Sequence, residues 1–131
     1  MNYDRKYLIF AMCYALIGMC VGIYMAASHN HVQLVTHAHI LLLGFIVSLV
    51  YGIIHKLWIS QPPTKVATAQ LVLHQVSTSV MFAGLGLLYG QKVEPEKIEP
   101  FLAMASIGVL IAATLMMFLI LKSRPSSNTV S

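Results

Sequence analysis

From Tyr7 to His55 the chain carries no Asp, Glu, Lys or Arg. These 49 residues hold room for two membrane crossings of about 20 residues each, with a turn between them. Two further charge-free blocks follow, Val66 to Gln91 and Pro100 to Leu121. Together they imply an all-α, integral membrane four-helix bundle, with spans near 7–27, 34–58, 66–90 and 100–121. The spans occupy most of the 131 residues, so the chain reads as one domain with no soluble part. The Ser-rich tail, 123–131, reads as flexible.

Composition agrees where it bears on solubility. Only 9% of residues are charged and 58% are hydrophobic, against roughly 25% charged in a soluble domain. Such a chain has too little charge to coat a water-facing surface. Two Cys, eight Gly and five Pro also exclude a disulfide scaffold and a collagen-like chain.

Arg5 and Lys6 precede an apolar run ending in Ala26-Ala27-Ser28, a pattern shared with cleavable signal peptides. The run is about 20 residues, longer than the roughly 7–15 of a secretory apolar region. It therefore reads as an uncleaved first helix.

The basic residues suggest an orientation. Arg5, Lys6, Lys56, Lys65, Lys122 and Arg124 fall at one end of a four-helix threading. Lys92 and Lys97 fall at the other, with Glu94, Glu96 and Glu99. The positive-inside rule puts both termini in the cytoplasm, as expected of a bacterial inner-membrane protein. The net charge of +4 then reflects topology and implies no nucleic-acid partner.

The first helix carries a small-residue stripe, Ala11, Ala15, Gly18, Gly22 and Ala26, including a GxxxG that favours close helix contact within or between protomers. Cys13 and Cys20 share a helix face about 10 Å apart, too far for a disulfide, and read as small packing residues.

With so few full charges, histidine is the main ionisable chemistry in the spans. Six are present, and His29, His31, His37 and His39 lie within eleven residues at the outer start of the second helix. Imidazole is a ligand for iron, copper and zinc. His29-Asn30-His31 sits in the outer loop, where an extended H-x-H can chelate one ion or simply stand in water. His37-Ala38-His39 opens the second helix. Two residues apart on a helix is about 200°, so these rings point to opposite flanks. They can serve two sites, or rest at the interface on water and a carbonyl.

His55 lies 18 residues after His37, five turns along the same face, and reads as interfacial beside Lys56. His74 lies inside the third span on a face shared with Gln70, Ser77, Thr78 and Met81, which must face protein or a cavity. With Gln70 and Thr78 it is a candidate for a second polar or cofactor site, a proton path or a structural hydrogen bond. The fourth helix, with only Ser106 and Thr114 as polar side chains, reads as the lipid-facing element. Counted from the inner ends of straight helices, His39 and His74 differ by about 16 Å in depth, so they make a poor pair for one iron. His37 and His39 differ by only about 3 Å. His37 of one subunit can then face His39 of the next, with one haem at each interface of a ring.

The run His37-Ala38-His39-Ile40-Leu41-Leu42-Leu43-Gly44-Phe45, followed by Tyr51-Gly52 and His55, resembles a short four-helix family described as cytochrome c oxidase subunit I-like. That family is similar to the catalytic subunit of haem–copper oxidases and nitric oxide reductases. There an H-x-H gives one His to each of two haems on opposite sides of its helix. The resemblance implies that His37 and His39 each meet the iron of a b-type haem. It also implies a homotrimer, because the large subunits hold twelve helices in three arcs of four. The paired His of that family's copper site and its His–Tyr pattern are not found here, which sets copper and oxygen reduction in doubt. The expected function is haem binding for electron transfer or for oxygen or nitric oxide binding. The rivals are a copper or zinc protein using the outer histidines, and an assembly subunit of a larger oxidase.

Overall fold

The computed structural model describes residues 2–123. Arg124 and the rest of the expected tail lie outside the described residues. Four helices are long and apolar enough to cross a membrane: α1 (Tyr3–Ser28), α2 (Leu34–Leu57), α3 (Thr64–Tyr89) and α4 (Pro95–Lys122). No strand occurs among the described residues. The protein is therefore an all-helical, multi-pass membrane chain. At about 1.5 Å per residue each helix exceeds the roughly 30 Å of hydrocarbon it must cross.

The helix ends follow from local chemistry. α1 stops at His29, which takes a left-handed conformation with φ 55°. Pro63 precedes the first turn of α3. α4 begins more than a turn before the expected position 100. Pro95 occupies a first-turn position where its missing N–H costs nothing, and Glu96 sits where the helix dipole favours an anion. Pro100 then falls inside the helix.

α2 is not uniform. Leu34–His39 and Ser48–Leu57 are α-helical, but Ile40–Val47 between them is a wide π-helical segment. Segments of this kind are rare and concentrate at functional sites.

Two hairpins build the bundle. α1 packs along α2 and α3 along α4; α2 joins the hairpins by packing on α3, and α1 touches α3 lightly. Close approach of α1 and α2 depends on glycines from both. A Cβ on Gly44 would lie 2.5 Å from the Tyr14 ring, and one on Gly52 would lie 3.2 Å from the Asp4 carbonyl. The GxxxG of α1 serves the same contact: Gly18 meets Ile40 and Leu41, and Gly22 meets His37. The stripe thus works inside the protomer.

One apolar cluster, Tyr7, Tyr51, Ile59, Ala67, Leu71, Met116 and Leu119, fills the terminal end of the bundle, where α1 starts and α4 stops. A smaller one, Met81, Leu85 and Ala105, fills the distal half. α3 is the most buried helix, with 44% of its apolar window inside the bundle. α4 and α1 are equally exposed, at 28% buried each, so α4 is not singled out as the lipid-facing element. Ser106 and Thr114 of α4 are exposed and donate to the Leu102 and Leu110 carbonyls of their own helix. Cys13 and Cys20 are exposed rather than packed.

Candidate functional site

His37 and His39 leave α2 in different directions, as two residues on one helix must. His37 turns toward α1, where its Nδ1 lies 2.8 Å from the Gly18 carbonyl. Its ring occupies the groove left by Gly22, where a Cβ would come within 3.0 Å of Cε1. His39 folds back along its own helix, with Nδ1 2.9 Å from the Val35 carbonyl. It stands in an outward stripe with Val35, Leu42, Ile46, Val50 and Ile53, all exposed. Both rings are half-buried.

A carbonyl only accepts, so Nδ1 is the donor in both rings. In the neutral imidazole the lone pair then belongs to Nε2. Metal-bound histidines share this anchoring: one ring nitrogen donates to a carbonyl or carboxylate while the other binds the ion. Thr36, just before His37, is buried and donates to Gln33, whose amide donates in turn to the Gly86 carbonyl of α3. The start of α2 is thereby tied to both neighbours.

His74 lies elsewhere. It is fully buried, and its Nε2 lies 3.2 Å from the Leu43 carbonyl in the π-helical segment of α2. Leu43 is four residues past His39, about one turn along the axis. His74 is thus about 6 Å below His39 and not the 16 Å expected from straight helices counted from a common plane. Part of the difference is the earlier start of α3, at Thr64 rather than 66, which is about 3 Å. The rest lies in the π-helical segment of α2 and in helix ends that do not share one plane.

The polar face of α3 expected from spacing is present and turned inward. Gln70, His74, Ser77 and Thr78 are all buried. Tyr7 donates to Gln70 Oε1, and Gln70 Nε2 donates to the Ala112 carbonyl at 3.2 Å. Tyr51 meets the His74 ring edge-on at 5.0 Å. His74 Nδ1 and Thr78 Oγ1 have no hydrogen-bond partner among the described residues.

His55 corrects an expectation. It is buried rather than open to water, because Tyr3 and Tyr7 of α1 cover it, stacked at 5.2 and 5.7 Å. It forms one wall of a cavity of about 680 Å³ at the terminal end, lined also by Asp4, Lys56 and Gln61. His29 and His31 are exposed on the distal loop. The six histidines therefore do not gather at one place. Among the described residues no three His, Cys, Asp or Glu side chains are grouped to hold one metal ion.

Several contributors gave little sequence signal. The Gly18 carbonyl that anchors His37 is backbone. Tyr14, which donates to the Gln75 carbonyl and meets Ser79 at 3.0 Å, and Ser48, which accepts from Gln75, sit in otherwise apolar runs. The GxxxG of α1 was the one available hint of where His37 would rest. Comparison with family models, curated proteins and solved structures found no match for this chain.

Proposed function

We propose that this membrane protein binds b-type haem through His37 and His39, at interfaces between copies of itself in a ring, most simply a trimer. The observation that carries the reading is the shared anchoring of the two imidazoles. Each gives Nδ1–H to a backbone carbonyl and keeps Nε2 for a ligand bond.

The donor set fits the group. Two imidazoles at nearly one depth suit an iron porphyrin, whose apolar faces need a non-aqueous wall. Beside His39, Val35, Leu42 and Ile46 present such a wall. A lone imidazole among lipid-facing aliphatics is costly unless it meets a partner or a cofactor. The two rings sit on different sides of α2, so one iron with two His ligands requires a second copy of the chain. When bound, haem supplies one-electron chemistry and, with an open axial position, oxygen or nitric oxide binding. The chain's part is to hold both rings in one tautomer and exclude water from them.

The charge distribution favours a bacterial inner-membrane location with both termini in the cytoplasm. Arg5, Lys6, Lys56, Lys65 and Lys122 lie at the terminal end of the bundle, while Lys92 and Lys97 lie at the distal end.

Absorption spectra of the purified protein, oxidised and reduced, test the reading. A Soret band with sharp reduced α and β bands is expected, weakened or shifted in His37→Ala and in His39→Ala. A colourless protein loaded with zinc or copper would sink the proposal. Spectra untouched by both substitutions would remove the site assignment.

A further inference from the structure

We propose that His74 is a positioning residue for the His37–His39 pair, acting through the Leu43 carbonyl rather than as a ligand of its own. This rests on the haem reading for its purpose, but the coupling itself concerns only the chain. The π-helical segment begins at Ile40, the residue after His39, and runs to Val47. An i→i+5 ladder is looser than an α-helical one and seldom persists without outside support.

Here the support comes from α3. A carbonyl oxygen has two lone pairs, so Leu43 can serve its helix and still accept from His74 Nε2. The bond lies in a fully buried position, where it is stronger than in water. His74 is itself held from two sides, by Tyr51 edge-on and by Tyr7 at 6.4 Å. One turn away, Gln70 ties the same helix to Tyr7 of α1 and the Ala112 carbonyl of α4. α3 therefore fixes the turn that follows His39 against the rest of the bundle. His74 Nε2 is committed to Leu43, and Nδ1 is buried without access to the exterior. The ring has no nitrogen free for an iron outside the bundle.

The test compares His74→Gln with His74→Asn in the full chain. A glutamine amide can reach Leu43 as Nε2 does; an asparagine amide is too short. Thr78→Val serves as control, a buried polar residue one turn on with no bond to α2.

Two measurements are made in lipid nanodiscs: amide hydrogen exchange over residues 40–47, and the electron paramagnetic resonance of the oxidised haem. The Asn variant should speed exchange in this segment on the order of tenfold, the loss of one buried hydrogen bond. It should also shift the haem signal while keeping the haem content of the parent. The Gln variant should return both toward the parent, and Thr78→Val should change neither. Loss of an axial ligand in both His74 variants, restored by added imidazole, would make His74 a ligand and overturn the proposal. So would equal exchange in the Asn and Gln variants. If the parent protein holds no haem, the haem reading fails alone, because the exchange measurement still decides the link between His74 and Leu43.

Discussion

At the scale of single residues, the glycines separate into those that make room and those that do not. A Cβ on Gly44 would meet Cγ of Tyr14 at 2.5 Å and its Cβ at 2.8 Å. The Tyr14 Cβ is fixed by its own backbone, so no rotamer change relieves that clash. Gly44→Ala should destabilise the bundle by about 1–3 kcal/mol despite alanine's better helix propensity. Gly86 is the contrast. Its nearest neighbour to an added Cβ is Thr36 Cγ2 at 3.9 Å, an ordinary contact. Gly86→Ala should gain about 0.5–1 kcal/mol from reduced backbone freedom in the unfolded chain. Thermal melts in one detergent check both, and the two changes should move the midpoint in opposite directions. The same logic ties Gly22 to the proposed site, since a side chain there would push against the His37 ring.

Among elements, α3 is the helix on which the others are hung. Gln70 receives Tyr7 from α1 and gives to Ala112 of α4, His74 gives to Leu43 of α2, and Gln75 gives to Ser48 of α2. In lipid there is no solvent to replace these bonds. Gln70→Leu, of similar volume, strands the Tyr7 hydroxyl in the apolar cluster. It should cost about 1–3 kcal/mol, measured by the same melts, and Tyr7→Phe in that background should recover most of the loss. Such an element is partly readable in advance. The charge-free runs mark all four spans, and the 3.6-residue period puts Gln70, His74, Ser77 and Thr78 on one face that cannot meet lipid. The depth of His74 is not readable. It depends on where each helix begins and on a π-helical segment whose residues, Ile40 to Val47, look like any apolar run. His55 shows the same limit. Its place beside Lys56 marks a helix end, yet its burial comes from Tyr3 and Tyr7, distant in sequence. The H-x-H geometry is readable because it rests on helical angle alone; its carbonyl anchors are not, since any residue supplies a carbonyl.

For the whole molecule, the charge asymmetry and the two-sided histidine pair make independent claims. Reporter fusions at the C-terminus should be active on the cytoplasmic side. Adding Lys to the two distal loops, as His29→Lys and Gln91→Lys, should weaken that preference if the basic residues set it. The assembly claim is sharper. In one chain the His37 ring rests on α1 and the His39 ring lies in the outward stripe, so a single chain cannot offer both to one iron. A ring of copies can, with His37 of one chain facing His39 of the next. His37→Ala alone and His39→Ala alone each remove one ligand from every interface, so neither pure protein should show a two-histidine haem spectrum. Mixed oligomers behave differently. An interface is complete when the chain giving His37 is the His39→Ala variant and the chain giving His39 is the His37→Ala variant. With equal amounts mixed at random, about a quarter of the interfaces meet that condition, whatever the number of chains in the ring. Co-expression of the two variants should therefore restore about a quarter of the parent's two-histidine signal. No recovery, with both variants present in the purified oligomer, would mean that each ligand pair is not shared between neighbouring chains.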